Sequence, residues 1–327
     1  MKKISLLVYE EAILSSLTGV VDIFTATNYY LLESGKSPAF EIEMVSESKA
    51  ATPLNLPAGH VGHRTLDEVD KTDLIIAPAF NGPADIIMQK NKSLIDWIKK
   101  MNQRGAEVAS LCFGSYFLAE AGLFDGKQCT SHWIAIEDMR RRYPKVIVMA
   151  DRVITDQGGI YSSGGAFSSL NLILYLVEKN CGKDVAIWAS KMFSIDMDRV
   201  NQAHFAVFRG QHLHEDEAIL KAQNFIEENY HHPITIEQIA DKIHMSKRNF
   251  IRRFKSATRN TPLEYLQRVK IESAKKALES NTENISSLMY DAGYNDIKTF
   301  RKIFKRITGL TPQDYRNKYS RVLSQAS

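Results

Sequence analysis

Two groups of residues in this chain have the types and spacing for chemistry: a cysteine and a histidine near the middle, and two basic stripes near the end. Cys112 follows the run Glu107-Val-Ala-Ser-Leu111 and opens Phe113-Gly114-Ser115, and His132 stands in Thr130-Ser131-His132-Trp133. A thiol at a strand-to-helix turn with an imidazole in reach is the composition of a nucleophile elbow, the histidine serving as base. The N-terminus of the following helix is expected to lower the thiol pKa, and Gly114 to permit tight packing beneath the turn. The competing reading is a small buried hydrophobe beside a hydrogen-bonded histidine, because one Cys and one His do not by themselves make a site.

The basic stripes belong to a duplication. Residues 236–265 align with 285–315: Phe250 matches Phe300, Phe254 matches Phe304, Thr261-Pro262 matches Thr311-Pro312 and Tyr265 matches Tyr315. The offset is 49 at Ile236 and Ile285 but 50 from the phenylalanines onward, so the second copy has one extra residue in its turn. Each copy reads as a short helix, a tight turn and a second helix, with Ser246 capping the second helix of copy one and Asn295 or Asp296 that of copy two. This is helix-turn-helix grammar, over about 234–257 and 283–308. Phenylalanines at i and i+4 define the buried stripe, which turns Lys247, Arg248, Asn249, Arg252 and Lys255 outward in one copy. The second copy presents Lys298, Thr299, Arg301, Lys302 and Lys305. Such a helix suits a DNA major groove, where cations reach phosphates and Arg pairs with guanine edges. A solvated charged face is the bland alternative, and its recurrence on matched faces of two turn-linked helices argues for double-stranded DNA. RNA is disfavoured because no base-stacking motif accompanies the helices.

The elements that must position these residues divide the chain in two, as 327 residues would suggest. Residues 1–195 alternate apolar runs (ISLLVY, FEIEMV, LIIAPA, EVASLCF) with helical patterns at Val20–Leu32, Leu94–Gln103 and Gly165–Lys179, the rhythm of an α/β sandwich with a parallel sheet. Residues 196–216 read as a polar linker or arm, and 217–327 as an all-α domain. Lys and Arg number 42 against 38 Asp and Glu; from Asp216 onward the count is 20 against 13, so the basic excess sits in the helical domain. Three cysteines form no disulfide framework, no stretch has the apolar length to span a bilayer, and the start MKKISLLVYEEAIL lacks a signal-peptide core. A reducing cytoplasm and no membrane partner are expected. His212, His214, His231 and His232 lack the cysteine or carboxylate spacing of a tetrahedral metal site and read as solvated, so neither metal nor cofactor is expected. Trp133 and Trp188 read as core packing.

With those residues in view, two resemblances stand out. Residues 217–320, above all GYNDIKTFRKIFKRITGLTPQDYR, resemble the DNA-binding domain of the AraC/XylS family of transcription regulators. Two departures stand out: Asn260 where a glycine is usual before Thr-Pro, and Met289 where a small alanine is common. Residues 3–190 resemble the class I glutamine amidotransferase-like superfamily, PfpI-type branch, through LCFGSYFLAEAGLFDGKQCTSHW, APAFNGP and SSGGAFSSLNLILYLVE. That likeness implies a flavodoxin-like sandwich, and it aligns Ser16 with a position where hydrolytic or glyoxalase-like relatives carry an acid. The fusion implies a sequence-specific regulator, an activator working with RNA polymerase, homodimeric through its first domain and without catalysis. A small effector is expected beside Ser16, Asn81, Cys112, Phe113 and His132, at the carboxyl ends of the strands. Control by thiol state would instead require an exposed Cys112 of lowered pKa. The rival from another class is a cysteine-dependent amidase, protease or glyoxalase-like enzyme with a DNA-binding tail.

Overall fold

The apolar runs near the start become the centre of a sheet because they bury both faces at once. In Lys2–Leu7 and the residues after it, Ile4, Leu6 and Val8 pack into one core while Leu7 and Tyr9 pack into another on the opposite side, the period of two that a strand imposes. The computed structural model describes residues 1–48, 61–198, 201–212, 214–280 and 283–320. It divides into two units, Met1–Gln202 and Ala203–Ser327.

The strands of the first unit are β1 (Lys2–Leu7), β2 (Phe40–Ser46), β3 (Gly62–Thr65), β4 (Leu74–Ala77), β5 (Glu107–Ser110), β6 (Gln128–Cys129), β7 (Ile147–Val148), β8 (Ile154–Asp156) and β9 (Ile160–Ser163). Seven form one sheet in the order β3-β2-β1-β4-β5-β9-β8, parallel throughout except for the edge pair β8 and β9; β6 and β7 pair separately. Its helices are α1 (Leu14–Glu33), α2 (Ala84–Lys90), α3 (Lys92–Gln103), α4 (Ser115–Glu120), α5 (Ile136–Arg142), α6 (Ser169–Cys181) and α7 (Lys183–Met192). One face of the sheet buries Leu17, Phe24, Leu172 and Leu176 of α1 and α6; the other buries Trp97, Phe117 and Met139 of α3, α4 and α5. This is a flavodoxin-like arrangement, and it sends the loops after β1, β4, β5 and β9 out at the carboxyl edge. The sequence pattern starts two of these helices at the wrong residue. Leu14 begins α1 six residues before Val20, and α6 begins at Ser169, leaving Gly165 in a loop.

The second unit holds α8 (Glu217–Asn229), α9 (Ile236–Lys242), α10 (Lys247–Thr258), α11 (Pro262–Ser280), α12 (Ile285–Asp291), α13 (Ile297–Thr308) and α14 (Pro312–Tyr319). Each copy of the duplication has its own core: Phe250, Phe254 and Tyr265 with Ile219 and Ile226, and Phe300, Phe304 and Tyr315 with Leu288 and Met289. Helix α11 serves both, giving Tyr265 and Leu266 to the first and Ile271, Ala274 and Leu278 to the second. The 196–216 segment is no solvated arm. Gln202 is buried in the first unit, while Phe208 lies edge-on against Tyr265 in the second; Arg199, Val200 and Leu213 fall outside the described residues. His212 pairs with Glu227 and His214 with Gln223, because the segment folds back along α8.

Candidate nucleic-acid interface and elbow pocket

Both second helices of the duplication are built alike. Ser246 and Asp296 accept the backbone N–H of Asn249 and Thr299, so Asp296, not Asn295, is the cap of α13. Thr258 and Thr308 each donate to the carbonyl four residues back, at 2.8 Å in both copies. The turn has four residues, 243–246, in the first copy and five, 292–296, in the second. The side chains at two left-handed positions differ: His244 (φ 56°) and Arg259 (φ 59°) in copy one stand where copy two has Gly293 (φ 76°) and Gly309 (φ 79°). The glycine departure therefore lies at Arg259, and Asn260 is instead a buried side chain bonded to the Thr258 carbonyl at 2.8 Å.

Phe250, Phe254, Phe300 and Phe304 are fully buried, and Lys247, Arg248, Arg252, Lys255, Lys298, Thr299, Arg301, Lys302 and Lys305 are exposed on the far side; Asn249 is half-buried. The two faces differ in how free their cations are. In α10, Lys247 pairs with Glu237 and Arg252 donates to Asn249 Oδ1 at 2.9 Å. Among the described residues, no ion pair engages Lys298, Arg301, Lys302 or Lys305. Arg253 turns inward, both guanidinium ends on Asp216 at 2.7 and 3.0 Å, fastening α10 to the start of α8.

In the first unit the elbow forms where the four loops meet. Cys112 adopts φ 55°, a left-handed turn uncommon for a residue with a side chain. A Cβ on Gly114 would lie 2.2 Å from the Ala77 carbonyl oxygen, so only glycine lets the turn sit against β4. Burial pushes the Cys112 thiol up to about 11, although the N–H groups of Ala166 and Phe113 bond the sulfur and pull the other way. The expected lowering is thus reversed. The turn from Cys112 to Gly114 is a single 3-10 turn leading into a six-residue helix, so the dipole is short, and the residue is only 2% exposed.

His132 is held as a wall of the elbow. Its ring stacks on Phe113 at 5.0 Å and 12°, and its Nδ1 accepts the Ile134 N–H at 3.1 Å. The neutral ring then carries its proton on Nε2, which makes it a donor, and no hydrogen bond joins it to Cys112 among the described residues. Burial lowers its pKa. Ser16 donates to the Ile13 carbonyl at 2.6 Å and accepts the Ala79 N–H at 3.2 Å, so its hydroxyl ties the start of α1 to the loop after β4. Asn81 lies in that loop, its N–H on the Glu11 carbonyl at 2.9 Å and its side chain exposed; Phe80 touches Phe113 at 5.7 Å. Phe113 thus links Cys112, its chain neighbour, to His132 and Phe80, and Ser16 and Asn81 lie where the segment after β1 meets the loop after β4. An acid does sit after β1, but Glu11 is bonded to Lys90 at 2.7 Å.

Three contributors were not singled out from the sequence. Gly165 lets His132 lie against it, since a Cβ there would come 2.4 Å from the ring; Ala166, at φ 45°, aims its N–H at the thiol; Gln202 bonds both loops from behind. The glycine pair in SSGGAF was the available signal for the first two. Nothing marks Gln202 in a polar stretch. Trp133 is half-exposed beside His132, and Trp188 stacks on Tyr30 at 4.3 Å.

Comparison with known proteins agrees with this division. Residues 36–179 match the DJ-1/PfpI family and residues 239–318 a helix-turn-helix domain. Among similar curated proteins are the HTH-type transcriptional regulators GbdR and CdhR of Pseudomonas aeruginosa. Both are 24% identical to this chain, over 68% of it and 60% of GbdR, and over 77% of it and 74% of CdhR. The matched stretch thus spans less than two thirds of GbdR's length. A candidate transcriptional regulator from Vibrio parahaemolyticus shares the fold of the first unit, with 17% identity and a TM-score of 0.51 over 58% of this chain and 98% of that one. This chain accordingly joins a DJ-1/PfpI domain to a helix-turn-helix domain, and several of the curated proteins similar to it are named HTH-type transcriptional regulators.

Proposed function

We propose that this protein is a sequence-specific transcription regulator that reads double-stranded DNA through α10 and α13 and is controlled by a small effector held in the elbow pocket. The observation that carries the reading is the pair of recognition helices, each seated on two buried phenylalanines with its cationic stripe turned to solvent. Arg252, oriented by Asn249, suits a guanine edge, and the unpaired Lys298, Lys302 and Lys305 suit phosphates. Activation through RNA polymerase, a homodimer through the first unit and a cytoplasmic setting belong to the same reading.

A non-catalytic first unit fits it better than the hydrolase alternative. A thiol pushed up to about 11 holds little thiolate at neutral pH, and a histidine accepting a backbone N–H at Nδ1 has no free base nitrogen. The same burial argues against direct thiol-state sensing and leaves a ligand as the signal. A ligand with an apolar body and a polar group suits these loops, in which Ile134, two residues from His132, and Phe167, next to Ala166, are exposed.

Genome-wide capture of DNA by the full-length protein tests the proposal, with the Arg252→Ala/Lys302→Ala double variant alongside. A recurring motif bound by the wild type and lost in the variant is expected. Fragments with no common motif, held equally by both, would refute it.

A further inference from the structure

The two copies of the duplication touch at a residue where their turns differ. Gly293 (φ 76°) lies in the turn between α12 and α13, and a Cβ there would fall 2.6 Å from the Tyr230 carbonyl oxygen and 3.1 Å from His231 Cα. Both of those atoms are backbone at the end of α8, and α8 belongs to the first copy's core. Backbone cannot swing aside as a long side chain can, so any side chain at 293 would push the copies apart. In the first copy the matching residue, His244, adopts the same left-handed turn and is exposed. Position 293 therefore calls for glycine twice, by the sign of its φ and by the approach of α8, and the second demand is peculiar to copy two.

Two neighbouring side chains of α11 fasten this contact. Lys270 Nζ donates to the Gly293 carbonyl at 2.7 Å and lies 5.2 Å from the centre of the Tyr294 ring. Ser273, nearly one turn on, shares a hydrogen bond of 2.9 Å with the Tyr230 hydroxyl. One side chain thus grips the second copy and the other grips the first. Lys270 is half-buried, burial lowers its pKa, and no carboxylate pairs with it among the described residues. A cation held partly out of water by a carbonyl and a ring face bears a desolvation cost that a solvent-facing lysine avoids. On the preceding turn of α11, Gln267 accepts a hydrogen bond from Arg306 of α13. Because α11 runs through both cores it fixes how far apart they lie, while rotation of one copy about that helix is resisted by these contacts beside it.

We infer that Lys270 and Gly293 are positioning residues that hold α10 and α13 at one mutual angle, and that they thereby set how many base pairs the protein accepts between the two DNA segments it reads. This rests on the proposed reading of DNA through both helices. Each base pair added between the segments turns the second by about 35° around the duplex. A stiff pair of readers rejects the wrong interval, whereas a loose pair accepts several at lower affinity.

Titration of the full-length protein on its captured motif, and on duplexes with one base pair inserted or deleted between the two segments, reads this directly. Wild type is expected to lose on the order of tenfold or more in affinity at each altered interval. Lys270→Met keeps the apolar stem without the donor; it is expected to bind the native interval more weakly and to shrink the interval penalty to about threefold or less, and Lys270→Arg to restore it. Tyr230→Phe, which deletes one hydroxyl, is expected to move the penalty the same way and decides the matter if Lys270→Met does not fold. An equal loss at every interval, with the penalty unchanged, would mean a merely structural lysine and overturn the inference. The angle can also be read without DNA, from spin labels on Asp241→Cys in α9 and Ser287→Cys in α12 in a Cys181→Ser background. One narrow distance distribution, broadened by Lys270→Met, is expected, and an unchanged width would overturn the inference. Wild type that captures no motif would remove the regulator reading, and the label distances would still decide whether Lys270 holds the angle.

Discussion

Cys112 sits in a left-handed turn with two amides on its sulfur, yet burial outweighs them and holds the thiol neutral. Iodoacetamide at about pH 8 is therefore expected to modify the half-exposed Cys181 well before Cys112, with Cys112 labelling rising steeply toward pH 10; faster labelling of Cys112 in the folded chain would contradict this. His132 makes the pH prediction. Its folded pKa lies below that of an unfolded histidine, about 6.5, so the unfolded chain takes the proton first. The contribution of neutral His132 is complete above that value and is lost as pH falls through the folded pKa. The first unit's thermal midpoint is expected to fall between about pH 7.5 and 5.5, and less so in His132→Gln; identical slopes would argue that His132 is not the group involved. At this scale the sequence exposes residue types well and their state poorly. Cysteine, histidine and the SSGGAF glycines were visible, but burial and the Ile134 N–H, which decide between base and wall, belong to the folded loops.

Helices α10 and α13 share caps, buried phenylalanines and the terminal threonine bond, and differ at two turn residues. A side chain in the left-handed region costs about 1–2 kcal/mol, against about 0.5–1 kcal/mol of extra chain entropy lost by glycine. His244→Gly and Arg259→Gly are each expected to stabilise the second unit by roughly 0.5–1 kcal/mol in urea unfolding. Destabilisation by both would mean their side chains make contacts that the turn geometry does not reveal. On the outer faces, Arg252→Ala is expected to cost about 1–3 kcal/mol and to relax preference at one base pair, while Lys302→Ala lowers affinity across sequences and reduces the salt slope by about one. Matched effects from the two variants would contradict this division of labour. The repeat made these elements legible, because a phenylalanine stripe seen twice fixes two opposite faces. The start of α6 was not, since the apolar run LNLILYLV lies wholly inside the helix and leaves unmarked the 3-10 turn Ala166–Ser168 that precedes it.

Across the whole molecule, alternation of apolar runs revealed the parallel sheet and the basic tail revealed the second unit. Their junction was hidden, because a polar stretch looks the same whether solvated or clamped by Gln202 and by Lys275 with Glu272. The central claim is that one chain reads DNA with both recognition helices. Hydroxyl-radical footprinting of the wild type on its captured motif, beside Arg252→Ala and Lys302→Ala, tests it most directly. The account predicts two protected patches per protomer about one helical turn, roughly 10 base pairs, apart, one weakened by each substitution. A single patch, or protection unchanged in both variants, would contradict it.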